Sequence, residues 1–159
     1  MKARPRSVER KVAACLSQYF TQLHLSPVER IPVLGRTGPD LTINELGLVI
    51  NVKTRLEVPK TIFRLYGPVI DFQDELHLVG IRLKDIHLLT EACNAQSLDF
   101  SSALIHQWYL HMDEWTKEYY PGGTTALVLH RPKMPVGAAL LILSQKHRRR
   151  LIQWKIHRS

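Results

Sequence analysis

With 22 Lys and Arg against 14 Asp and Glu in 159 residues, the chain is strongly basic, carrying a formal net charge of +8. Its 45% apolar and 23% charged residues are ordinary for a folded protein and exclude wholesale disorder, and the length suits one domain over residues 1–159. No apolar run approaches the roughly 20 residues needed to cross a bilayer. No uninterrupted apolar stretch follows the basic N-terminus either, so no secretory leader is expected and the location reads as cytoplasmic.

The positive charge is clustered. Lys2, Arg4, Arg6, Arg10 and Lys11 crowd the start, and Lys146, Arg148, Arg149 and Arg150 crowd the end. Such clusters release counterions from phosphates and favour a polyanionic partner. Bulky apolar anchors do not accompany them, which points to nucleic acid rather than a membrane surface. Cys15 and Cys93 have no metal-ligand spacing and read as a reduced pair.

In chain order, Ser7 to Thr21 is predicted as a helix. Ser7 serves as its cap, Glu9 stands in its first turn, and Val8, Val12, Cys15, Leu16 and Tyr19 form one apolar stripe. A turn-rich loop, Arg36-Thr37-Gly38-Pro39, leads into alternation from Asp40 to Glu45. Leu46-Gly47 then turns the chain into Leu48 to Lys53, a β-branched run that suits a strand covered on both faces, so the two read as a hairpin. Arg55 to Gln73 is read as a long excursion holding a short helix, Leu76 to Leu83 as a strand, and Asp85 to Ala92 as a short helix.

Ser101 to Lys117 is a second amphipathic helix, with Leu104, Ile105, Trp108, Met112 and Trp115 on its apolar stripe. Pro121-Gly122-Gly123 ends it. Thr125 to His130 and Ala138 to Leu143 are predicted as buried strands, and Leu151 to His157 as a closing strand because Ile152, Trp154 and Ile156 alternate. This order implies an α/β fold, a central mixed β-sheet flanked by helices.

Phosphodiester hydrolysis needs a cation fixed by oxygen ligands, an activated water, and a positive group facing the developing phosphorane. In the second strand of the hairpin, residues two apart share a face, so Asn51 and Lys53 point together with Val49 and Arg55. Asp40, at the start of the preceding strand, can lie beside them across the hairpin. Arg36, Arg55, Lys60 and Arg64 flank this site and are candidate phosphate contacts, with Arg4, Arg6, Arg148 and Arg149 from the terminal clusters. The eight histidines are scattered; His106 and His111 stand five apart, which is not a helical zinc spacing.

Gly38-Pro39-Asp40, ten residues, then Asn51-Val52-Lys53 resembles the PD-(D/E)XK motif of the restriction-endonuclease-like nucleases. The opening Val8-Glu9-Arg10 helix is similar to that of archaeal Holliday-junction resolvases and related phage nucleases. The resemblance covers Ser7 to Lys53, and Ser101 to Leu143 in architecture alone. It implies a restriction-endonuclease-like core and a magnesium-dependent endonuclease, with manganese as a substitute, that cuts branched DNA as a homodimer. It further implies that Asp40 binds the metal, with the Val52 carbonyl as a second ligand. Lys53 would orient the attacking water, Glu9 would hold a metal-bound water or second ion, and Gln107 would be a phosphate or supporting contact.

The departure is Asn51, where the family has Asp or Glu. An amide oxygen ligates a hard cation but brings no charge and accepts protons poorly. Three origins fit it: a tolerated natural residue, a degenerate site kept for binding, or a deliberate and nearly isosteric replacement of Asp. Two other functions stay open beside the nuclease: a non-catalytic nucleic-acid-binding protein, and a basic protein that docks acidic protein partners.

Overall fold

The computed structural model describes residues 5–22, 29–30, 41–43, 48–58, 60–63, 69–72, 76–91, 96–98 and 103–158. Three helices, α1 (Pro5–Gln22), α2 (Ala103–Tyr119) and α3 (Gln145–Arg158), accompany eight strands. The strands are β1 (Glu29–Arg30), β2 (Leu41–Ile43), β3 (Leu48–Thr54), β4 (Ile70–Phe72), β5 (Leu78–Arg82), β6 (Gln96–Leu98), β7 (Thr124–His130) and β8 (Leu140–Ser144). They form one sheet in the order β1-β2-β3-β7-β8-β5-β4-β6. Two pairings, β3 with β7 and β4 with β6, are parallel and the others antiparallel, so the sheet is mixed as the sequence implies.

Side chains alternate across the sheet and divide the core into two layers. Leu48, Ile50, Val79, Ile81, Ala126, Val128, Leu141 and Leu143 face one side, where Val12, Leu16 and Tyr19 of α1 and Leu151 of α3 cover them. Ile70, Phe72, Leu78, Leu127, Leu129, Leu140 and Ile142 face the other, under Ile105, Tyr109 and Met112 of α2 and Val58, Ile62 and Phe63. Every residue of β7 is buried, as a central strand covered on both faces requires. Each fully buried Leu or Ile contributes about 1.5–3 kcal/mol of apolar burial. No helix among the described residues is long and apolar enough to cross a membrane.

The hairpin, the two long helices and the two buried strands stand close to their predicted places. Helix α1, however, begins at Pro5, whose fixed φ suits a first helical position. Ser7 therefore lies inside the helix, and Glu9 falls beyond its first turn. The excursion at 55–73 contains β4 as well as a 3-10 turn at Lys60–Phe63. The short helix predicted from Asp85 is a 3-10 turn at Leu83–Leu88, its start braced by Arg82, whose Nε donates to Asp85 Oδ2 at 2.9 Å. Tyr19 OH and Thr90 Oγ1, 2.9 Å apart, tie α1 to the turns that follow.

The largest departure is at the C-terminal end, where the expected closing strand over 151–157 is part of α3. Ser144 ends β8 and caps the helix: its Oγ accepts the His147 backbone N–H at 3.2 Å. Lys146, Arg148, Arg149 and Arg150 then supply straight-chain residues that favour helix. The inward face is set by Arg148 and Leu151, one turn apart and both buried, while Ile156 is 65% exposed. Neither Ile152, half-buried, nor Ile156, exposed, is an anchor, so their alternation misreports the period of this segment.

Arg148 fastens α3 in place, Nε donating to the Leu89 carbonyl at 2.9 Å and Nη2 to the Glu91 carbonyl at 3.1 Å. Arg148→Ala is expected to destabilise the fold by about 1–3 kcal/mol by stripping a charged donor from both carbonyls. Arg149→Ala, on the exposed side, should stay within about 0.5 kcal/mol. Urea denaturation followed by circular dichroism compares the two; equal midpoints would mean that Arg148 does not hold the helix.

Candidate functional site

The parallel register of β3 on β7 decides which way the candidate residues point. Leu48, Ile50 and Val52 pair with Thr124, Ala126 and Val128, and this set packs towards α1. Asn51 and Lys53 pair with Leu127 and Leu129, and so project to the opposite face, under α2. The first three residues of β3 are buried and the last four half-buried, so the strand emerges from the core as it reaches these two. On that face Lys53 Nζ lies 5.8 Å from the ring centroid of Trp108 in α2.

The hairpin register brackets the proposed acid. Leu41 is paired with Ile50; Asp40 is the residue before Leu41, and Asn51 the residue after Ile50. Asp40 itself lies outside the described residues, as do Arg4, Arg36 and Arg64. The backbones of Arg6 and Lys60 are described, in α1 and in the turn at 60–63, but their side chains are not.

Past Lys53 the chain is held firmly. Arg55 donates its backbone N–H to the His130 carbonyl at 2.9 Å, and its exposed side chain bonds back to the Thr54 carbonyl at 3.0 Å. Arg131 Nη1 donates to the carbonyls of Leu56 and Val58, which pins the exit from β3. His130 is buried at the end of β7. Its Nε2 sits 2.7 Å from the Met134 carbonyl and so carries the proton, leaving Nδ1 to face Thr54 Oγ1 at 3.4 Å. Both ring nitrogens are thereby engaged in fastening β7 to its turn and to β3.

The remaining candidates divide by face. Gln107 is exposed on α2, one residue before Trp108 and on the same side of the sheet as Lys53. Glu9 belongs to α1, which covers the opposite face, so the sheet lies between their elements. Arg148 is not a phosphate contact: it is 8% exposed and its guanidinium is bonded to backbone carbonyls. Arg149, a proposed phosphate contact, and its neighbour Arg150 are exposed on α3. Arg150 shares a small cavity with Leu48, the first residue of β3. It is thus about 17 Å of strand away from Lys53.

Among the described residues, no three His, Cys, Asp or Glu side chains come together as a metal site. The amide of Asn51 and the carbonyl of Val52 do not make up a magnesium shell alone, and a carboxylate is needed to supply its charge.

A second polar cluster was missed by sequence reasoning. Tyr109 OH donates to the Thr125 carbonyl at 3.3 Å, Thr125 Oγ1 donates to Asp113 Oδ1 at 2.9 Å, and Asp113 Oδ2 pairs with Lys117 at 3.2 Å. Ser144 Oγ lies 2.8 Å from His147 Nδ1. Serine, histidine and aspartate together suggest a nucleophile, but the geometry is that of a helix cap. Ser144 and His147 are three residues apart at the start of α3, and the serine oxygen accepts the histidine's own backbone N–H. The available signal was a serine placed just before a helix-favouring charged run. Burial of Tyr109, reinforced by the Asp113 charge, raises its phenol above the usual range despite a bond with Ser144. Burial likewise holds His147 down to about 4; Arg150 and Lys146 add to this and Asp113 opposes it.

No known protein family, curated protein or solved structure matches the chain.

Because His147 binds its proton less readily when folded, its contribution to stability is complete above about pH 6.5 and is lost as pH falls towards about 4. The urea midpoint should therefore drop across that window, and drop less in His147→Gln. Equal drops in the two proteins would acquit His147.

Proposed function

We propose that the chain is a metal-dependent DNA endonuclease by descent, directed at branched or otherwise structured DNA, and impaired by the amide at position 51. The observation that carries this reading is the face of β3 on which Asn51 and Lys53 stand together where the strand leaves the core. Lys53 there meets the developing charge on phosphorus, and Arg55, just beyond, contacts the adjoining phosphate. Asp40 supplies the anionic ligand, with the Asn51 amide and the Val52 carbonyl completing a donor set for magnesium or manganese. When bound, the metal lowers the pKa of the attacking water and polarises the phosphoryl oxygen. Exposed Arg149 and Arg150 on a helix without a single acid add sequence-independent affinity. Cutting a junction takes two such sites, so the reading carries a homodimer with it.

Asn51 also favours a second reading, a nucleic-acid-binding protein without turnover. The amide removes a negative charge from a face that would otherwise repel phosphate, which helps binding and hinders hydrolysis. The experiment compares the chain with its Asn51→Asp variant on a labelled four-way junction and a matching duplex, in magnesium and then manganese. The Asp variant is expected to cut at least about 10²-fold faster, and Lys53→Ala in that background to remove the gain. Binding without cleavage of junctions, duplexes, flaps or single strands by either protein would install the second reading.

Under both readings DNA affinity should fall steeply with salt. Arg149→Ala and Arg150→Ala should each lower the slope of log affinity against log salt by about one, as fluorescence anisotropy measures, whereas a slope unmoved by either would take α3 out of the interface.

A further inference from the structure

We infer that Trp108 is the positioning residue for Lys53, its indole face holding the ammonium where β3 opens so that the charge meets phosphate already aimed. The catalytic consequence rests on the nuclease reading above; the contact itself does not.

A lysine near the end of a strand ordinarily extends its ammonium into water. Here Nζ stays over an aromatic ring, 5.8 Å from the centroid, within the range where the ring quadrupole attracts a cation. Lys53 and Trp108 are both half-buried, so water screens the pair only in part. The ring is also well fixed. Trp108 packs on the cluster that contains Ile105, Tyr109, Met112 and Leu129. Its helix is bonded to β7 through Tyr109 and Asp113, which both meet Thr125. Lys53 is paired through its backbone with Leu129 of that same strand. Ring and lysine are thus both referenced to β7, and their relative position is set by the core.

The benefit is entropic. A lysine has many rotamers, and gathering them when a phosphate arrives costs binding or activation free energy. A ring that holds the ammonium beforehand meets this cost during folding. Packing accounts for the bulk of the indole but not for the placement of the charge above it.

The test begins with the lysines reductively dimethylated by isotopically labelled formaldehyde and a borohydride reductant, a modification that keeps their charge. Lys53→Arg identifies the Lys53 methyl signal by its loss. Above an indole, that signal should lie upfield of the other lysines. Trp108→Leu should return it to their position, and Trp108→Phe should retain part of the displacement, with circular dichroism confirming that both variants fold. A Lys53 signal that sits with the others, or ignores Trp108→Leu, overturns the proposal.

In the Asn51→Asp background, Trp108→Leu should lower kcat by about five- to tenfold with little change in KM, and Trp108→Phe should recover most of it. An upfield signal with cleavage unaffected by Trp108→Leu overturns the positioning role while leaving the nuclease reading intact. An upfield signal with no cleavage by the Asp variant on any DNA overturns the nuclease reading and the positioning role with it, leaving Trp108 a packing contact.

Discussion

The pairing on which the rest of the structure depends is that of β3 with β7, parallel over seven residues from Leu48 opposite Thr124 to Thr54 opposite His130. Parallel neighbours cannot be joined by a tight turn. The chain between them must make a long crossover, and the crossover lays down β4, β5 and β6 of the same sheet and then α2 before returning as the buried β7. The same pairing assigns faces. Once Ile50 and Val52 are committed to the layer under α1, Asn51 and Lys53 have no choice but the layer under α2. A slip of one residue would turn Asn51 and Lys53 into the layer under α1 and take Leu48, Ile50 and Val52 out of it, so the register is strongly specified.

How well the sequence could be read follows from how each segment earns its burial. Leu48 to Lys53, α2 and the strands at 125–130 and 140–143 carry continuous or periodic apolar sets, and each stood close to its expected place, although Leu104 of the predicted α2 stripe is exposed and Tyr109, outside it, is buried. Gln96–Leu98 and Glu29–Arg30 are edge pieces of two or three residues, held by backbone pairing rather than by pattern, and neither was foreseen. Helix α3 failed for the opposite reason. Its periodic residues Ile152 and Ile156 are not its anchors; among the described side chains Arg148 and Leu151 are, and no hydropathy pattern treats Arg148 as an inward-facing residue. The sharing of a face by Asn51 and Lys53 was legible because it needs only the period of a strand. That Trp108 stands over Lys53 was not, since fifty-four residues of chain separate the two.

Arg148 and its neighbours also show that net charge describes a chain and not a surface. Of the consecutive arginines 148, 149 and 150, the first is consumed by carbonyls of a neighbouring turn while the next two stay in solvent. The helical twist of about 100° per residue separates these roles. By fixing the rotation of α3, the buried arginine determines which cations the helix presents. The basic end of the chain is therefore partly a structural device, and only its outward half can answer to a polyanion.

Position 51 is where the two functional readings meet, and they turn on a single charge. A carboxylate there stands two residues from Lys53 on the same face, close enough to draw the ammonium towards itself and to supply a metal with one anionic ligand. An amide of the same shape does neither, so the field of Lys53 and Arg55 is less compensated and the face becomes more attractive to phosphate. Hydrolysis needs the negative charge at 51 because the metal must be held and the water activated; retention of DNA is favoured without it. Tighter binding and slower cutting are thus expected from the same substitution. On either proposed reading, Asn at the centre of this face favours holding phosphate over cutting it.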